Sequence, residues 1–555
     1  MLYVSSVESN GYYIKDTEDG IEEFVSKEKL IEAIKVGVSI QGVLTHNGRV
    51  SVRVYNPESV LASLRLQGVH EIFDIGIVDG LLTLKQYLKN ESSLKIPQGV
   101  SRVGSSCFSM NSVLEYIIIS DSVLELEDNC FLHCQGLKSV ELPNSVIRVG
   151  ENCFYGCTNL QHIKLSNFIK KLSKNCFTDC SELQSVEIPD SVTIIDEFCF
   201  SGCGNLEDMK LPNYIERLEN GCFRHCENLQ SIKIPCTVKS IGKLCFKGCK
   251  KLGSVEIPDS VKSIGGSCFE ICNKLQSVKL SNSLTELGDK CFKGCSKLKS
   301  IDIPSSITII GERCFNGCSS LQYVKLSESI TRLRKSCFLK CYKLQSIDIP
   351  DKVKVLEESC FYSCTSLRSI SLPNSIKVIE GECFEYCESL VSVSLPDSVT
   401  ALGMSAFQFC KSLRCIDIPS SVEVIEDKCF ERCKSLETVR MFGRVMSLPN
   451  RLFTDCENLR YVNIPDSVVK LGSICFGGCS SLKSIVIPSS VKGIGDYCFL
   501  NCIELDSIEI PKSVTKLGKA CFRGCVSLRY IRLPSYFNNS ISKFELPSDC
   551  EVIYY

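Results

Sequence analysis

The chain has no tryptophan and only five histidines in 555 residues, and residues 1–93 lack the cysteine that is abundant afterwards. It also has no excess of charge of one sign, because 63 basic residues face 64 acidic ones. This balance gives no electrostatic footprint for a nucleic acid, so we expect no nucleic-acid partner. No run of ~18 or more apolar residues occurs, so no transmembrane helix and no membrane insertion are expected.

The motifs of common enzyme classes are missing as well. The chain has no phosphate-cradling glycine loop and no nucleophile elbow, and its carboxylates are spread singly. His133 and His225 each precede a cysteine, which is the arrangement of a Cys–His nucleophile pair. The same cysteine recurs in many other copies without the histidine, so we interpret both histidines as exposed turn residues. We therefore expect no enzyme activity and no cofactor.

The chain does contain one 23-residue unit, C-F-x-x-C-x-x-L-x-x-I-x-I-P-x-S-V-x-x-I-G-x-x, which repeats without a slip of register. Its first cysteine position falls at 107 and at every 23rd residue up to 521, which makes nineteen copies. Repetition of this kind is the signature of a solenoid. One copy offers too little apolar surface to offset the entropy of ordering its backbone, so the copies must stack. A stacked chain presents a long, regular surface rather than one deep pocket.

The copy that starts at Cys130 illustrates the predicted elements. Its L-x-x-V-x-L piece, from Leu137 to Leu142, matches the strand signature of leucine-rich repeats, and the alternation at Val140 and Leu142 predicts an inward face. The G-x-x-C-F-x-x-C stretch at 150–157 then predicts a tight turn and a short helix that return the chain. Stacked strands of this kind form a parallel sheet.

Two short motifs carry a resemblance to a known family. They are C-F-x-G-C-x-x-L, at 245–252 and 291–298, and I-P-x-S-V, at 257–261 and 303–307. Together they resemble the BspA-like leucine-rich repeat family of bacterial and protozoan surface proteins, although that family usually has alanine at the first cysteine. The resemblance implies an α/β solenoid, a right-handed superhelix with one long parallel β-sheet. It also implies an adhesin-like binding protein, because family members are known or proposed adhesins.

Composition divides the chain into three parts. Residues 1–93, without cysteine, predict a small α+β domain and cap, residues 94–535 the solenoid, and residues 536–555 a C-terminal cap. Several elements are predicted at the N-terminal side: strands at 12–15 and 21–25, a helix near 27–36, a hairpin of 38–44 and 50–54 around Asn47-Gly48, a short helix at 81–88, and an extra half-strand at 94–97.

Thirty-five of the 38 cysteines occupy two columns of the repeat, and only Cys236, Cys415 and Cys550 lie elsewhere. Three interpretations are open: a small apolar residue that fills the core, stacked disulfides, and a metal site. Ala406 and Leu452 stand in the first column and can form neither a disulfide nor a metal bond, which favours packing. C-x-x-x-C without a partner histidine is also a poor match to a zinc site, so no metal is expected.

The exposed strand positions carry the candidate binding face. In the column between the two inward strand residues, charges of opposite sign nearly alternate from Glu141 to Asp348, which avoids like-charge repulsion between neighbours. The alternation fails between Ser371 and Val486, and arginines recur there in a nearby column. Arginine and tyrosine are enriched at binding hot spots. The candidate binding residues are Arg368, Arg414, Asp417, Arg440, Arg460, Tyr461 and Asn463.

The sequence thus favours a non-catalytic scaffold that binds a protein or glycan through a concave sheet. Two alternatives stay open: a cysteine-rich metal or redox reservoir, and a structural spacer that presents the N-terminal domain. The first residues lack a basic segment followed by an apolar one, so a cytoplasmic location is expected; the alternative is the cell surface, or secretion by a non-standard route. Ligand identity and oligomeric state are not specified by the sequence.

Overall fold

The computed structural model describes residues 57–555 and, before them, the backbone of five strands. These strands are Leu2–Glu8, Gly11–Asp16, Glu22–Val25, Ser39–Leu44 and Val50–Tyr55. The first three pair antiparallel in chain order, and the last two form an antiparallel hairpin. The strands predicted at 12–15 and 21–25 and the hairpin are therefore confirmed. The helix predicted near 27–36 lies outside the described residues.

A helix and a hairpin precede the first repeat. The α-helix is Pro57–Leu66, and a 3₁₀ turn follows at Val69–Glu71. Phe73–Val78 and Leu81–Tyr87 are antiparallel strands, so the short helix predicted at 81–88 is wrong. The reason is the Asp79-Gly80 turn, where both residues have positive φ, as a two-residue hairpin of type I′ requires.

Most repeats contribute two short parallel strands, which we call row A and row B. In the copy at Cys130, Ser139–Glu141 belongs to row A and Arg148–Val149 to row B. Most of these strands pair in register with their equivalent in the next copy, for example Val140 with Ile163. The parallel-strand solenoid predicted from the repeat is confirmed, and the extra half-strand is present as Ser93–Lys95, paired with Tyr116–Ile118. Row B is an addition that the sequence reasoning missed.

The chain divides into two compact units, Met1–Leu275 and Gln276–Tyr555. In the first unit, row A comprises Ser93–Lys95, Tyr116–Ile118, Ser139–Glu141, His162–Lys164, Ser185–Glu187, Asp208–Lys210, Ser231–Lys233 and Ser254–Glu256. Row B comprises Arg102–Val103, Glu125–Leu126, Arg148–Val149, Lys171–Leu172, Ile194–Ile195, Arg217–Leu218, Ser240–Ile241 and Ser263–Ile264. The strand Leu81–Tyr87 pairs in parallel with Arg102–Val103 and so begins row B.

The second unit repeats this plan. Its row A comprises Ser277–Lys279, Ser300–Asp302, Tyr323–Lys325, Ser369–Ile370, Ser392–Val393, Cys415–Ile418, Thr438–Met441, Tyr461–Val462, Ser507–Glu509, Tyr530–Leu533 and Glu551–Tyr554. Its row B comprises Glu286–Leu287, Ile309–Ile310, Arg332–Leu333, Val355–Leu356, Val378–Ile379, Ala401–Leu402, Val424–Ile425, Ser447–Leu448, Lys470–Leu471, Gly493–Ile494 and Lys516–Leu517. A 3₁₀ segment, Ser535–Phe544, precedes the last row A strand.

The core consists of columns of identical side chains. In the copy at Cys130, eight apolar side chains are buried: Cys130, Phe131, Cys134, Leu137, Val140, Leu142, Val146 and Val149. Within each unit the phenylalanines stack on one another, as Phe108 on Phe131 with ring centroids 5.0 Å apart and an interplanar angle of 3°. At the start of the ladder, Phe73 meets Phe108 edge to face. The ladder thus joins the hairpin before the repeats to the repeat core.

The return limb of each repeat is a pair of turns, not a helix. Residues just before the first and second cysteines have left-handed backbones, as Asn129 and His133 do at φ 60° and 56°. Hydrogen bonds span three residues, from Cys134 N–H to the Phe131 carbonyl at 3.1 Å. The predicted tight turn is confirmed, and the predicted short helix is wrong because two left-handed residues in one limb interrupt it.

Serine of the I-P-x-S-V motif ties one copy to the next. The Ser191 hydroxyl donates to the Ile169 carbonyl at 2.7 Å, and Ser375 makes the equivalent bond to Val353 at 2.6 Å. Each bond satisfies a carbonyl at the corner between row A and row B. The recurrent serine is therefore a structural residue, and this corner position returns below.

All 35 column cysteines are buried free thiols, and Ala406 in the first column is buried as well, which supports the packing interpretation. The second-column thiols do more than fill space. The Cys157 thiol donates to the Phe131 carbonyl of the preceding copy at 3.2 Å, and Cys318 does the same to Phe292. Burial raises the pKa of the Cys134 thiol to about 12, which disfavours the thiolate that a redox or metal-binding reservoir needs.

This burial predicts a sharp contrast in thiol reactivity. Without denaturant, a chromogenic disulfide reagent is expected to modify at most three thiols rapidly, because Cys236 and Cys415 are exposed and Cys550 is partly exposed. In denaturant without reductant it is expected to modify all 38. Fast modification of many more thiols in the native protein would contradict the buried columns.

Candidate binding face

The candidate residues lie on or beside row A of the second unit. Three of its strands, Cys415–Ile418, Thr438–Met441 and Tyr461–Val462, pair in parallel, with Asp417 opposite Arg440. All of the candidates except Asn463 are exposed. The structure therefore brings Arg414, Asp417, Arg440, Arg460 and Tyr461 together on three neighbouring strands, whereas Arg368 lies two copies before Arg414.

The three arginines of the adjacent column are aligned by backbone hydrogen bonds. Val391 N–H donates to the Arg368 carbonyl and Arg414 N–H to the Val391 carbonyl, at 3.1 and 3.2 Å. Glu437 N–H donates to Arg414 and Arg460 N–H to Glu437, at 2.8 and 2.9 Å. Arg368, Arg414 and Arg460 thus alternate with Val391 and Glu437 along one column. In the part of the chain that the structure describes, none of the three guanidinium groups forms an ion pair.

Elsewhere on row A, some exposed charges are paired with their neighbours. Lys164 pairs with Glu141, and Arg532 with Glu509 at 3.0 Å. Arg440 lies 3.8 Å from Asp417, at the long end of the ion-pair range. Exposed pairs of this kind contribute little stability, about 0–1 kcal/mol each. Among the described residues, Lys210, Lys233 and Lys325 of row A form no ion pair either, so the recurrence of arginine beside Tyr461 is what sets the arginine column apart.

Exposed apolar side chains border the same strands. The Tyr461 ring is 54% exposed, and sequence reasoning missed Phe442, which is 59% exposed and directly follows a row A strand, and Met446, which is 63% exposed and lies next to row B. Both lie in the copy that loses the I-P-x-S-V motif, where Phe442 N–H bonds the Ile418 carbonyl at 2.9 Å. That lost motif was the signal that could have located them.

Asn463 has a structural role instead. Its side-chain carbonyl accepts from Met441 N–H at 2.7 Å, and its amide donates to the Met441 carbonyl at 2.8 Å. In a regular copy the equivalent N–H bonds a backbone carbonyl, as Leu142 does to Lys164. The Asn463 amide therefore replaces a sheet hydrogen bond in the irregular copy, and we no longer assign it to the binding face.

The two repeat histidines occupy left-handed turn positions. His133 and His225 have φ of 56° and 58°, at the position where other copies carry glycine. A Cβ on Gly156 would collide with the His133 ring, and one on Gly248 with the His225 ring, so each histidine packs over the glycine of the next copy. Burial lowers the pKa of His225, and the nearby Arg224 charge lowers it further. This packing accounts for both histidines without a catalytic role.

The described residues were also compared with the requirements of a metal site and of a membrane span. Among the described residues, no group of three or more histidine, cysteine, aspartate or glutamate side chains is arranged to hold a metal ion. In the same part of the chain, every helix is too short or too polar to cross a lipid bilayer.

Comparison with known families identifies the repeat. The model of the BspA-type leucine-rich repeat region, a unit of six copies, matches residues 86–196, 125–253, 239–368, 355–481 and 446–554. Together these matches span nearly the whole repeat region. No curated protein matches the chain.

Solved structures of leucine-rich repeat proteins are similar in fold. One from Bacteroides ovatus is 23% identical, with 87% of this chain and 98% of that one covered and a TM-score of 0.40. A leucine-rich cell surface protein from Faecalibacterium prausnitzii is also 23% identical, with 86% and 97% covered and a TM-score of 0.27. The pneumococcal vaccine antigen PcpA is 14% identical, with 87% and 96% covered and a TM-score of 0.34.

Proposed function

We infer that this chain, which belongs to the BspA-type leucine-rich repeat family, is a non-catalytic scaffold that binds a protein or glycan partner. Binding takes place on the exposed side of row A, the side for which the sequence predicts a concave surface. The observation that carries the proposal is the column of Arg368, Arg414 and Arg460, exposed and without ion pairs, beside the exposed ring of Tyr461.

The chemistry of this column favours an acidic partner. An exposed guanidinium offers a planar fork of donors that fits a carboxylate or sulfate group. Tyr461 and Phe442 add apolar area beside these charges, and clusters of arginine with aromatic residues are typical of binding hot spots. A protein or glycan that carries acidic groups is therefore the proposed class of partner.

A double charge reversal tests this face. The full chain is used to capture partners, the captured partner is identified and purified, and its affinity is measured directly. Arg414→Glu with Arg460→Glu is expected to weaken binding by about tenfold or more, because repulsion replaces two favourable contacts. The loss should be larger at low salt, because screening weakens interactions between exposed charges.

The matched control reverses two charges away from row A. Lys354→Glu with Lys377→Glu makes the same change in net charge at exposed positions next to row B. This variant is expected to bind the partner as the parent does. Equal affinity of the arginine double variant and the parent, or equal losses in both double variants, would rule out the proposed face.

A further inference from the structure

Tyr214 occupies the corner position where most copies have serine, and where several of these serines bond a carbonyl of the preceding copy. In the preceding copy that residue is Ser191, and in the following copy Thr237 donates to the Ile215 carbonyl at 2.6 Å. Tyr536 shows that a tyrosine can keep this bond, because its hydroxyl reaches the Val514 carbonyl at 2.7 Å. Among the described hydrogen bonds Tyr214 has no equivalent, and its side chain is 64% exposed. Tyr214 thus presents a large aromatic ring to solvent at a position where most copies have a small hydroxyl side chain.

The Tyr214 ring forms one wall of an open dent of about 460 Å³. The dent lies at the corner between row A and row B and extends over four neighbouring copies of the first unit. Its charged lining consists of two cations, Lys170 and Lys239, and two carboxylates, Asp190 and Glu216. The charges balance within the dent, unlike those of the arginine column.

This lining selects a class of ligand. A phosphate, sulfate or acidic peptide would meet two carboxylates, and a cationic ligand would meet two ammonium groups. A neutral polyhydroxylated ligand instead finds acceptors and donors around one exposed aromatic face. The apolar face of a sugar ring packs on such an aromatic face, while its hydroxyls bond the polar groups at the rim.

A second aromatic residue extends the arrangement along the corner. Phe168 holds the same position two copies earlier, again in place of the serine, and it is 39% exposed. With copies ~4.8 Å apart, the two rings are spaced by ~10 Å, which suits a chain of sugar rings rather than a single one.

We propose that the corner between row A and row B around Tyr214 and Phe168 is a binding site for a neutral glycan chain. The site lies on a different face and in a different unit from the arginine column. It takes a ligand of different charge, so either proposal can fail without the other.

Because the chain has no tryptophan, the fluorescence of a single introduced tryptophan can report ligand binding. Tyr214→Trp places a single tryptophan in the dent, and four neutral hexasaccharides are titrated in turn: those of maltose, cellulose, mannan and N-acetylchitin type. At least one is expected to shift the tryptophan emission to shorter wavelength in a saturable manner. Ser306→Trp is the matched control, because it lies at the same repeat position and its hydroxyl has no hydrogen-bond partner to lose. It is expected to show no shift.

The parent chain is tested in parallel by titration calorimetry with the same four sugars. Tyr214→Ser, which restores the corner hydrogen bond, is expected to weaken binding by about tenfold while the protein stays folded. Phe168→Ser is expected to weaken the hexasaccharide more than the corresponding disaccharide. The proposal is overturned by no response to any of the four sugars, by a response only to a heparin hexasaccharide, or by unchanged affinity in Tyr214→Ser.

Discussion

Raising the pH from 8 to 10 is expected to unfold the repeats under reducing conditions. Burial raises the pKa of the Cys107, Cys134 and Cys433 thiols to about 12, because the low-dielectric core disfavours the thiolate. In the unfolded chain a thiol titrates at ~8.5. Below that pH both states are protonated, and the full contribution to stability is present.

Between pH ~8.5 and ~12 only the unfolded chain releases these protons. The free energy of unfolding therefore falls by ~1.4 kcal/mol per pH unit for each thiol. Most copies carry two such thiols, so the stability of each copy falls by ~3 kcal/mol per pH unit. Stacked copies unfold together, so these losses add. Urea unfolding followed by circular dichroism at pH 8, 9 and 10 measures this slope.

Removal of thiols from one column provides the control. Cys337→Ala, Cys360→Ala and Cys383→Ala imitate the natural Ala406, which is buried in the same column. Burial raises the pKa of all three of these thiols. The triple variant is expected to lower the pH slope by ~4 kcal/mol per pH unit relative to the parent. An unchanged slope would mean that other groups, such as lysine or tyrosine, cause the alkaline unfolding.

Removal of one ring from the phenylalanine ladder is also expected to lower the free energy of unfolding strongly. Phe315 is fully buried and stacks on Phe292 and Phe338, with ring centroids 5.6 and 5.4 Å apart. Phe315→Ala is expected to lower the free energy of unfolding by ~3–5 kcal/mol, because the cavity interrupts the stack on both sides. Urea unfolding at pH 7 measures the loss.

Phe442→Ala is the matched control, since it removes the same side chain from a site that is 59% exposed. Its effect is expected to stay within ~0.5 kcal/mol. Comparable losses in the two variants would show that the ladder does not carry the stability assigned to it.

The parts of the fold that repeat were predictable, because nineteen copies of one pattern identify the same inward positions again and again. The eight buried columns follow from apolar spacing alone. The prediction at 81–88 failed because apolar spacing over a single short segment fits a helix as well as a strand. The hydrogen bonds of Leu81–Tyr87 to its neighbours decide in favour of the strand.

The contacts that define the candidate sites were less predictable. The sequence does not distinguish a strand asparagine that binds a ligand from one that bonds the backbone. The Asn463 amide is of the second kind, because it hydrogen-bonds the backbone of Met441. The role of the corner serine depends on a hydroxyl that crosses to the preceding copy, and only three-dimensional placement reveals it. Tyr214 therefore drew no attention as a sequence position, although it replaces the serine that most copies have there.

The left-handed turn residues also bear on how such a chain can change in length. Between residues 133 and 248, bulky residues and glycines alternate at this position, and a Cβ on Gly156, Gly202 or Gly248 would collide with the residue one copy earlier. Between residues 340 and 455, by contrast, six successive copies carry a side chain at this position, and Tyr386 stacks on Phe409 with ring centroids 4.3 Å apart. Loss or gain of one copy between residues 133 and 248 would therefore require a side chain to change its conformation, whereas loss or gain of a pair of copies would keep the existing contacts.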